Sequence, residues 1–162
     1  MPPLTVSRVF KAPLSLIWTT QTDPVHQAKW LSPGNPEAFQ SNMDFRVGGQ
    51  HFYGMPGPDG AMMYGIQTYR DIVPLQKIVL VQSFADSEGQ VAPHPMAPTW
   101  PRRVLSTTEY QDLGDGTTRL SVTWVPEDPT PDEAATFDNA RAGMTSGWDH
   151  MFGQIEVYLA TL

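Results

Sequence analysis

The chain contains no cysteine. That absence removes a disulfide framework, a thiolate metal site and a cysteine nucleophile, and it suits a reducing compartment such as the cytoplasm. Basic residues are scarce: 10 Lys and Arg stand against 17 Asp and Glu in 162 residues, for a formal net charge of −7. They are scattered, with Arg102-Arg103 the only adjacent pair. No basic stripe offers itself to a phosphate backbone or an anionic bilayer, so neither nucleic acid nor membrane is expected as a partner. No apolar run is long enough to span a bilayer, and the first residues lack the charged-then-apolar pattern of a leader.

Catalytic signatures are missing as well. There is no G-x-S-x-G, no phosphate-binding loop and no G-x-G-x-x-G. The four histidines, His26, His51, His94 and His150, are too dispersed for an H-x-x-H metal motif. Ser146, Asp149 and His150 are close in sequence, but on a helix Asp149 need not bridge the other two, and triads are defined by geometry. The expectation is therefore no metal, no cofactor and no catalytic residue, with a non-enzymatic role favoured. Acid–base chemistry would require polar side chains pointing inward from the central strands. Arg46, His51, Tyr64, Tyr69 and Asp71 are the candidates, with an outward Arg46–Asp71 pair on the solvated sheet face the favoured alternative.

Proline, by contrast, is plentiful at 16 residues, gathered at turns and in one long connection. Residues 4–10 alternate apolar and polar as a strand does. Pro13 opens a short helix with Leu16, Ile17 and Trp18. Asp23-Pro24 opens a second, with Asp23 as cap and Pro24 at the first helical position, and Ser32-Pro33-Gly34 stops it. Strands are expected at Glu37–Val47, Gln50–Met55, Ala61–Ile72 and Lys77–Ala85. A hairpin follows, made of residues 104–113 and 117–125 around Leu113-Gly114-Asp115-Gly116. Residues 86–103 are Pro-rich and hold Trp100. A connection this long is either pinned to the body or a lid over a pocket mouth.

The strongest periodic signal is C-terminal. Thr130-Pro131-Asp132-Glu133 reads as a capped helix start. Apolar residues then recur at Phe137, Ala140, Met144, Trp148, Met151, Ile155, Tyr158 and Leu162, one stripe on one face. A single helix over 130–162 would run about 45 Å and needs a sheet beneath it. Gly143 and Gly147 interrupt it, marking close helix–sheet packing, a bend, or a hollow beside Met144 and Trp148. The order β-αα-β6-α is α+β with a meandering antiparallel sheet, in one domain over 1–162.

Several segments in this order carry a family resemblance. They are R-V-F-K-A-P-L-S-L-I-W-T-T-Q-T-D-P (8–24), W-L-S-P (30–33), D-F-R-V-G-G (44–49), P-D-G (58–60), D-I-V-P (71–74), S-F-A-D-S-E-G (83–89) and G-W (147–148) before a final apolar helix. Together they resemble the AHSA1-like (activator of Hsp90 ATPase homologue 1-like) branch of the START/Bet v 1-like (SRPBCC) superfamily. The resemblance implies a helix-grip fold, with a curved antiparallel sheet around a long C-terminal helix and a cavity between them. It also implies one of three roles: binding a small hydrophobic molecule, contacting Hsp90 as a co-chaperone-like module, or acting as a polyketide-cyclase-like enzyme. The first fits the absences best. The candidate lining is Trp18, Trp30, Phe52, Tyr64, Val81, Trp100, Trp124, Met144, Trp148 and Met151, since aromatic and methionine walls suit irregular apolar ligands. Plain core packing is the alternative for each. The oligomeric state stays open, with a homodimer among the arrangements considered.

Overall fold

A computed structural model of the chain describes residues 1–162. Seven strands make one sheet: β1 (Leu4–Phe10), β2 (Gln40–Met43), β3 (Gln50–Pro56), β4 (Met62–Val73), β5 (Lys77–Ala85), β6 (Val104–Asp112) and β7 (Thr118–Pro126). Helices α1 (Leu14–Thr22) and α2 (Pro24–Leu31) follow β1, and α3 (Pro131–Asn139) and α4 (Arg141–Leu159) end the chain. The strand order is β1-β7-β6-β5-β4-β3-β2, with every neighbouring pair antiparallel. The meander therefore starts at one edge with β2, and the N-terminal strand closes the other edge against β7.

Local chemistry accounts for the elements. Asp23 accepts a hydrogen bond from the Val25 N–H and caps α2, which starts with Pro24. The β6–β7 turn holds Gly114 and Gly116 at φ 84° and 81°, the left-handed region where glycine is unstrained. Asp112 and Asp115 accept from the N–H groups of Gly114 and Thr117 and fix that turn. A register shift between Tyr69 and Asp71 bends β4. Gly48 N–H donates to the Tyr69 carbonyl and Tyr69 N–H to that of Gly49, so the 44–49 loop is laced to the bend. A Cβ on Gly49 would sit 2.1 Å from the Asp44 carbonyl oxygen, so only glycine fits there.

The main core lies where α1, α2 and α4 meet β1, β6 and β7. Phe10, Ile17, Leu120, Phe152 and Ile155 are at most 2% exposed, and Phe10 meets Phe152 edge to face at 5.8 Å. Trp30 donates its indole N–H to the Thr20 carbonyl at 2.8 Å and locks α2 onto α1.

Three expectations need correction. The C-terminal helix is two helices, not one. Ala140, at φ −93° and ψ 0°, leaves helical geometry between α3 and α4. The break lets Phe137, fully buried, dock beside Trp100 while α4 follows β1. Arg141 spans the break, bonding Asp138 at 2.8 Å and covering the Phe137 ring. Second, the strand expected at Glu37–Val47 shrinks to Gln40–Met43. Pro36 starts a short 3-10 turn before it, and Asp44 and Arg46 turn the chain after it. Third, Gly143 and Gly147 are exposed and nothing lies within 4 Å of a Cβ built on either. They sit on the outer face of α4, and neither packs against the sheet nor shapes a hollow. Leu162 lies beyond the helix and is 63% exposed.

The 86–103 connection is pinned at its C-terminal end. Glu133 accepts from its own cap residue, Thr130, through one carboxylate oxygen and from the Arg102 N–H through the other, at 3.0 and 2.8 Å. Thr130 in turn accepts from the Glu133 N–H, completing a capping box. Ser83 donates to the Arg102 carbonyl at 2.6 Å. Partial burial opposes ionisation of Glu133, but the Thr130 and Arg102 N–H bonds outweigh it and hold the carboxyl below its ordinary range. Replacing Thr130 by Ala is expected to cost about 1 kcal/mol in denaturant unfolding. Glu133→Ala should cost more, about 1–2 kcal/mol, and should also speed proteolytic cleavage within 86–103. Equal effects of the two substitutions, with unchanged cleavage, would contradict this double role.

Candidate functional site

Between α4 and the inner face of the sheet lies a cavity of about 340 Å³, lined by 23 residues of which 15 are hydrophobic. Strand alternation decides who faces it. From β3 come His51, Tyr53 and Met55; from β4, Gln67 and Tyr69; from β5, Ile78, Leu80, Gln82 and Phe84; and from β6, Val104, Ser106, Thr108 and Tyr110. Trp124 of β7, Trp148 and Met151 of α4, and Gln27, Trp30 and Leu31 of α2 continue the wall. His94 and Trp100 carry the 86–103 connection into it, so this pinned segment is itself part of the wall.

Tyrosine lies flat on the sheet because glycine faces it. Tyr53 pairs with Gly65 across β3 and β4, and a Cβ on Gly65 would meet the Tyr53 hydroxyl at 2.5 Å. The same exchange occurs on the opposite face, where Tyr64 covers Gly54. An aromatic cluster also lines the cavity. Trp124 meets Trp148 edge to face at 5.5 Å, and Trp100 approaches Trp124 at 6.5 Å.

A directed hydrogen-bond chain runs along the β3–β5 floor. The Gln82 amide nitrogen donates to the Ser83 carbonyl and to the Tyr53 hydroxyl, at 3.2 and 2.9 Å. A backbone carbonyl can only accept, so Gln82 Oε1 is the acceptor facing Gln67, whose amide nitrogen lies at 3.0 Å. Gln67 Oε1 then accepts from His51 Nδ1–H at 3.2 Å. His51 Nε2 is left bare and accepts from Ser41 Oγ at 2.7 Å. One carbonyl thus sets the histidine tautomer through two glutamines. His51 is 2% exposed. Burial pushes its pKa below the ordinary value, against the Gln67 bond, and burial also lowers that of His94. Burial raises those of Tyr53, Tyr69 and Tyr110. No Asp, Glu, Lys or Arg lines the cavity, so its wall is uncharged at neutral pH. No group of three or more His, Asp or Glu is arranged to hold a metal ion, and no helix is long and apolar enough to cross a membrane.

Of the ten residues singled out from the sequence, Trp30, Trp100, Trp124, Trp148 and Met151 line this cavity. The other five do not. Phe52 and Tyr64 stack on each other at 5.7 Å on the opposite face, and Val81 falls on that same face by alternation with Leu80 and Gln82. Trp18 packs against Phe45 and Tyr110 from behind, and Met144 is buried on α4 away from the wall. Of the inward candidates, His51 and Tyr69 face the cavity. Arg46 pairs with Asp44 and Asp71 with Lys77, all well exposed, so Arg46 and Asp71 do not pair with each other. Sequence reasoning missed Tyr53, Gln67, Gln82, Tyr110 and Gln27. The period-2 signal was present, because His51, Tyr53 and Met55 share one face and Phe52 the other.

Stability should carry the mark of the buried neutral His51. The unfolded chain protonates His51 near the ordinary 6.5, and the folded chain only at lower pH. As pH falls below about 6.5 the unfolded state takes up the proton first, and stability drops until the folded value is passed. His51→Gln is expected to flatten the fall in unfolding free energy between about pH 7.5 and 5.5. An unchanged difference from the parent protein would contradict a buried neutral imidazole.

Comparison with known proteins places this geometry in a family. A family model described as activator of Hsp90 ATPase homolog 1-like protein matches residues 11–160. Among solved structures, protein Ms6760 from Mycobacterium smegmatis is 22% identical, with a TM-score of 0.74 over 97% of this chain and 90% of that one. A protein from Arthrobacter aurescens is 22% identical, with a TM-score of 0.75 over 99% and 87%. Protein NE0264 from Nitrosomonas europaea is 19% identical, with a TM-score of 0.72 over 98% and 94%. At these identities the likeness is one of fold. No curated protein matches the chain in sequence. With its curved antiparallel sheet, its C-terminal helix and a family match over nearly its whole length, the chain belongs to the activator of Hsp90 ATPase homolog 1-like family and has the helix-grip fold.

Proposed function

We propose that this protein binds a small, largely apolar molecule in the cavity beneath α4. The observation that carries the proposal is the character of the wall, which is mostly hydrophobic, without a charged residue, and set around about 340 Å³ of space. That volume lies at the low end of the range of about 300–1,000 Å³ found for small-molecule sites. Trp100, Trp124, Trp148 and Met151 supply stacking faces and an adaptable thioether. The polar floor from His51 to Gln82 supplies orientation. A second reading has one specific support. His51 lies on the cavity wall and is buried and neutral, and a neutral imidazole acts as a base once its Nε2 is released from Ser41. Under that reading the bound molecule loses a proton through His51, as in a cyclase-like reaction, and His51→Gln would abolish turnover while sparing binding.

Thermal unfolding with a panel of uncharged aromatic compounds tests the first reading. A ligand at about 100 times its Kd is expected to add about 2.7 kcal/mol of stability and to change tryptophan emission. Absence of both effects across the panel would sink the proposal. A pair of substitutions separates cavity from core. Leu80→Phe projects into the open space and should cost under about 1 kcal/mol while weakening ligand binding. Leu120→Phe, at a fully buried core position, should cost about 1–3 kcal/mol. Equal costs would mean the space beneath α4 is already filled.

A further inference from the structure

A hydroxyl, an imidazole and an amide oxygen stand in line at the edge of the sheet. Ser41 Oγ lies 2.7 Å from His51 Nε2, and His51 Nδ1 lies 3.2 Å from Gln67 Oε1. The direction of the floor's hydrogen bonds leaves Nε2 bare, so Ser41 donates its proton to the imidazole while Gln67 holds the opposite nitrogen. A hydroxyl within hydrogen-bond reach of a base, with the base oriented by a third group, is the arrangement that activates a serine. Only the nucleophile has to meet a substrate. Ser41 is exposed on β2, while His51 behind it is buried. β2 is the last strand of the sheet, and no strand covers its outer edge. The Asp44 N–H donates to the Gln50 carbonyl at 2.9 Å, so by register Asn42–Phe52 and Gln40–Gly54 are the hydrogen-bonded pairs of β2 and β3. Ser41, between them, turns its own N–H outward to the free edge. An N–H on the nucleophile itself is suited to receive the negative charge that develops on an attacked carbonyl oxygen.

We infer that Ser41 is an acyl-accepting nucleophile, with His51 as its general base and Gln67 as the positioning residue. Ser41 Oγ attacks the carbonyl carbon of an ester while its proton passes to His51 Nε2. Collapse of the tetrahedral adduct breaks the ester C–O bond, and the same proton leaves with the alcohol. Water then attacks the acyl-serine, gives a proton to His51, releases the carboxylic acid and returns the proton to Ser41 Oγ. The third group decides the substrate class. Gln67 orients the ring but, unlike a carboxylate, carries no charge to stabilise the imidazolium. A poor leaving group therefore receives little help, which restricts the site to activated esters, such as aryl esters, whose alcohol departs readily. The activity is independent of binding beneath α4, because Ser41 is not part of that wall.

Treatment of the full chain with p-nitrophenyl acetate, and separately with an alkyl fluorophosphonate, tests this. Release of p-nitrophenolate is expected, with the acetyl or phosphonyl group mapped to Ser41 by peptide mass spectrometry. Ser41→Ala is expected to lose both adducts entirely while keeping the parent Tm and the parent affinity for aromatic compounds beneath α4. His51→Gln is expected to slow acetylation of Ser41 at least about 100-fold. Gln67→Leu is expected to slow it about tenfold and Gln67→Glu to restore it, since a carboxylate also accepts from Nδ1–H and balances the imidazolium. A merely structural Gln67 would give no such recovery. Adducts confined to lysine, tyrosine or the amino terminus, acetylation of Ser41 at the parent rate in His51→Gln, equal rates in the two Gln67 variants, or no reaction with either reagent would overturn the inference. Each of these results leaves ligand binding beneath α4 to be decided by its own titration.

Discussion

The packing of Phe10 on β1 against Phe152 on α4 is the contact on which the remaining structure depends. It fastens the last helix to one edge of the sheet, where Ile155 and Tyr158 join the same buried cluster. Arg8 reinforces it from outside by pairing with Asp149 and Glu156. The backbone of α4 lies close to β1 and α2, so the inner face of β3–β6 is left to be met by side chains alone. Trp148 and Met151 reach across from above, and Trp100 comes in from the long connection. Close packing would be the default for a protein interior. Here the helix is held at the side, and the interior keeps a cavity.

That cavity is polar in a particular way. Charge is absent from its wall, and the buried imidazole of His51 is neutral because burial outweighs its bond to Gln67. The floor's hydrogen bonds form a line whose direction is set by one carbonyl. Gly65 lets Tyr53 lie down on the floor, which keeps the space open as well as furnishing the end of that line. Elsewhere, polar atoms of Gln27, Tyr110 and Trp148 are sealed in the interior without hydrogen-bond partners.

Much of the frame was legible in the sequence, because strands and caps are local physics. Alternation marked the strands, Asp23-Pro24 marked α2, and Thr130 with Glu133 marked the start of α3. The break at Ala140 was not legible. Alanine is the best helix former, and the kink exists only because Phe137 and α4 bury against different partners. The glycines of α4 misled for a related reason: a glycine signals missing side-chain volume but not the direction it faces. The site was half legible. Large aromatics on α2, α4, β7 and the long connection stand out in the sequence by size, and they face inward. On β3, β4 and β5 a shift of one residue reverses the face, and Phe52, Tyr64 and Val81 fall on the wrong side of that alternation. Gln67 and Gln82 escaped notice because their role is set by each other across the sheet, not by spacing along the chain.

Binding beneath α4 is tested most directly by the indole N–H spectrum of the five tryptophans during titration with an uncharged aromatic compound such as 9-fluorenone. Trp100, Trp124 and Trp148 line the cavity, and Trp18 lies outside it. Saturable shifts of the Trp100, Trp124 and Trp148 indole protons are expected as a ligand fills the space beside their rings, with Trp18 unmoved. A titration in which those three stay still, or in which Trp18 moves as far, would contradict binding beneath α4.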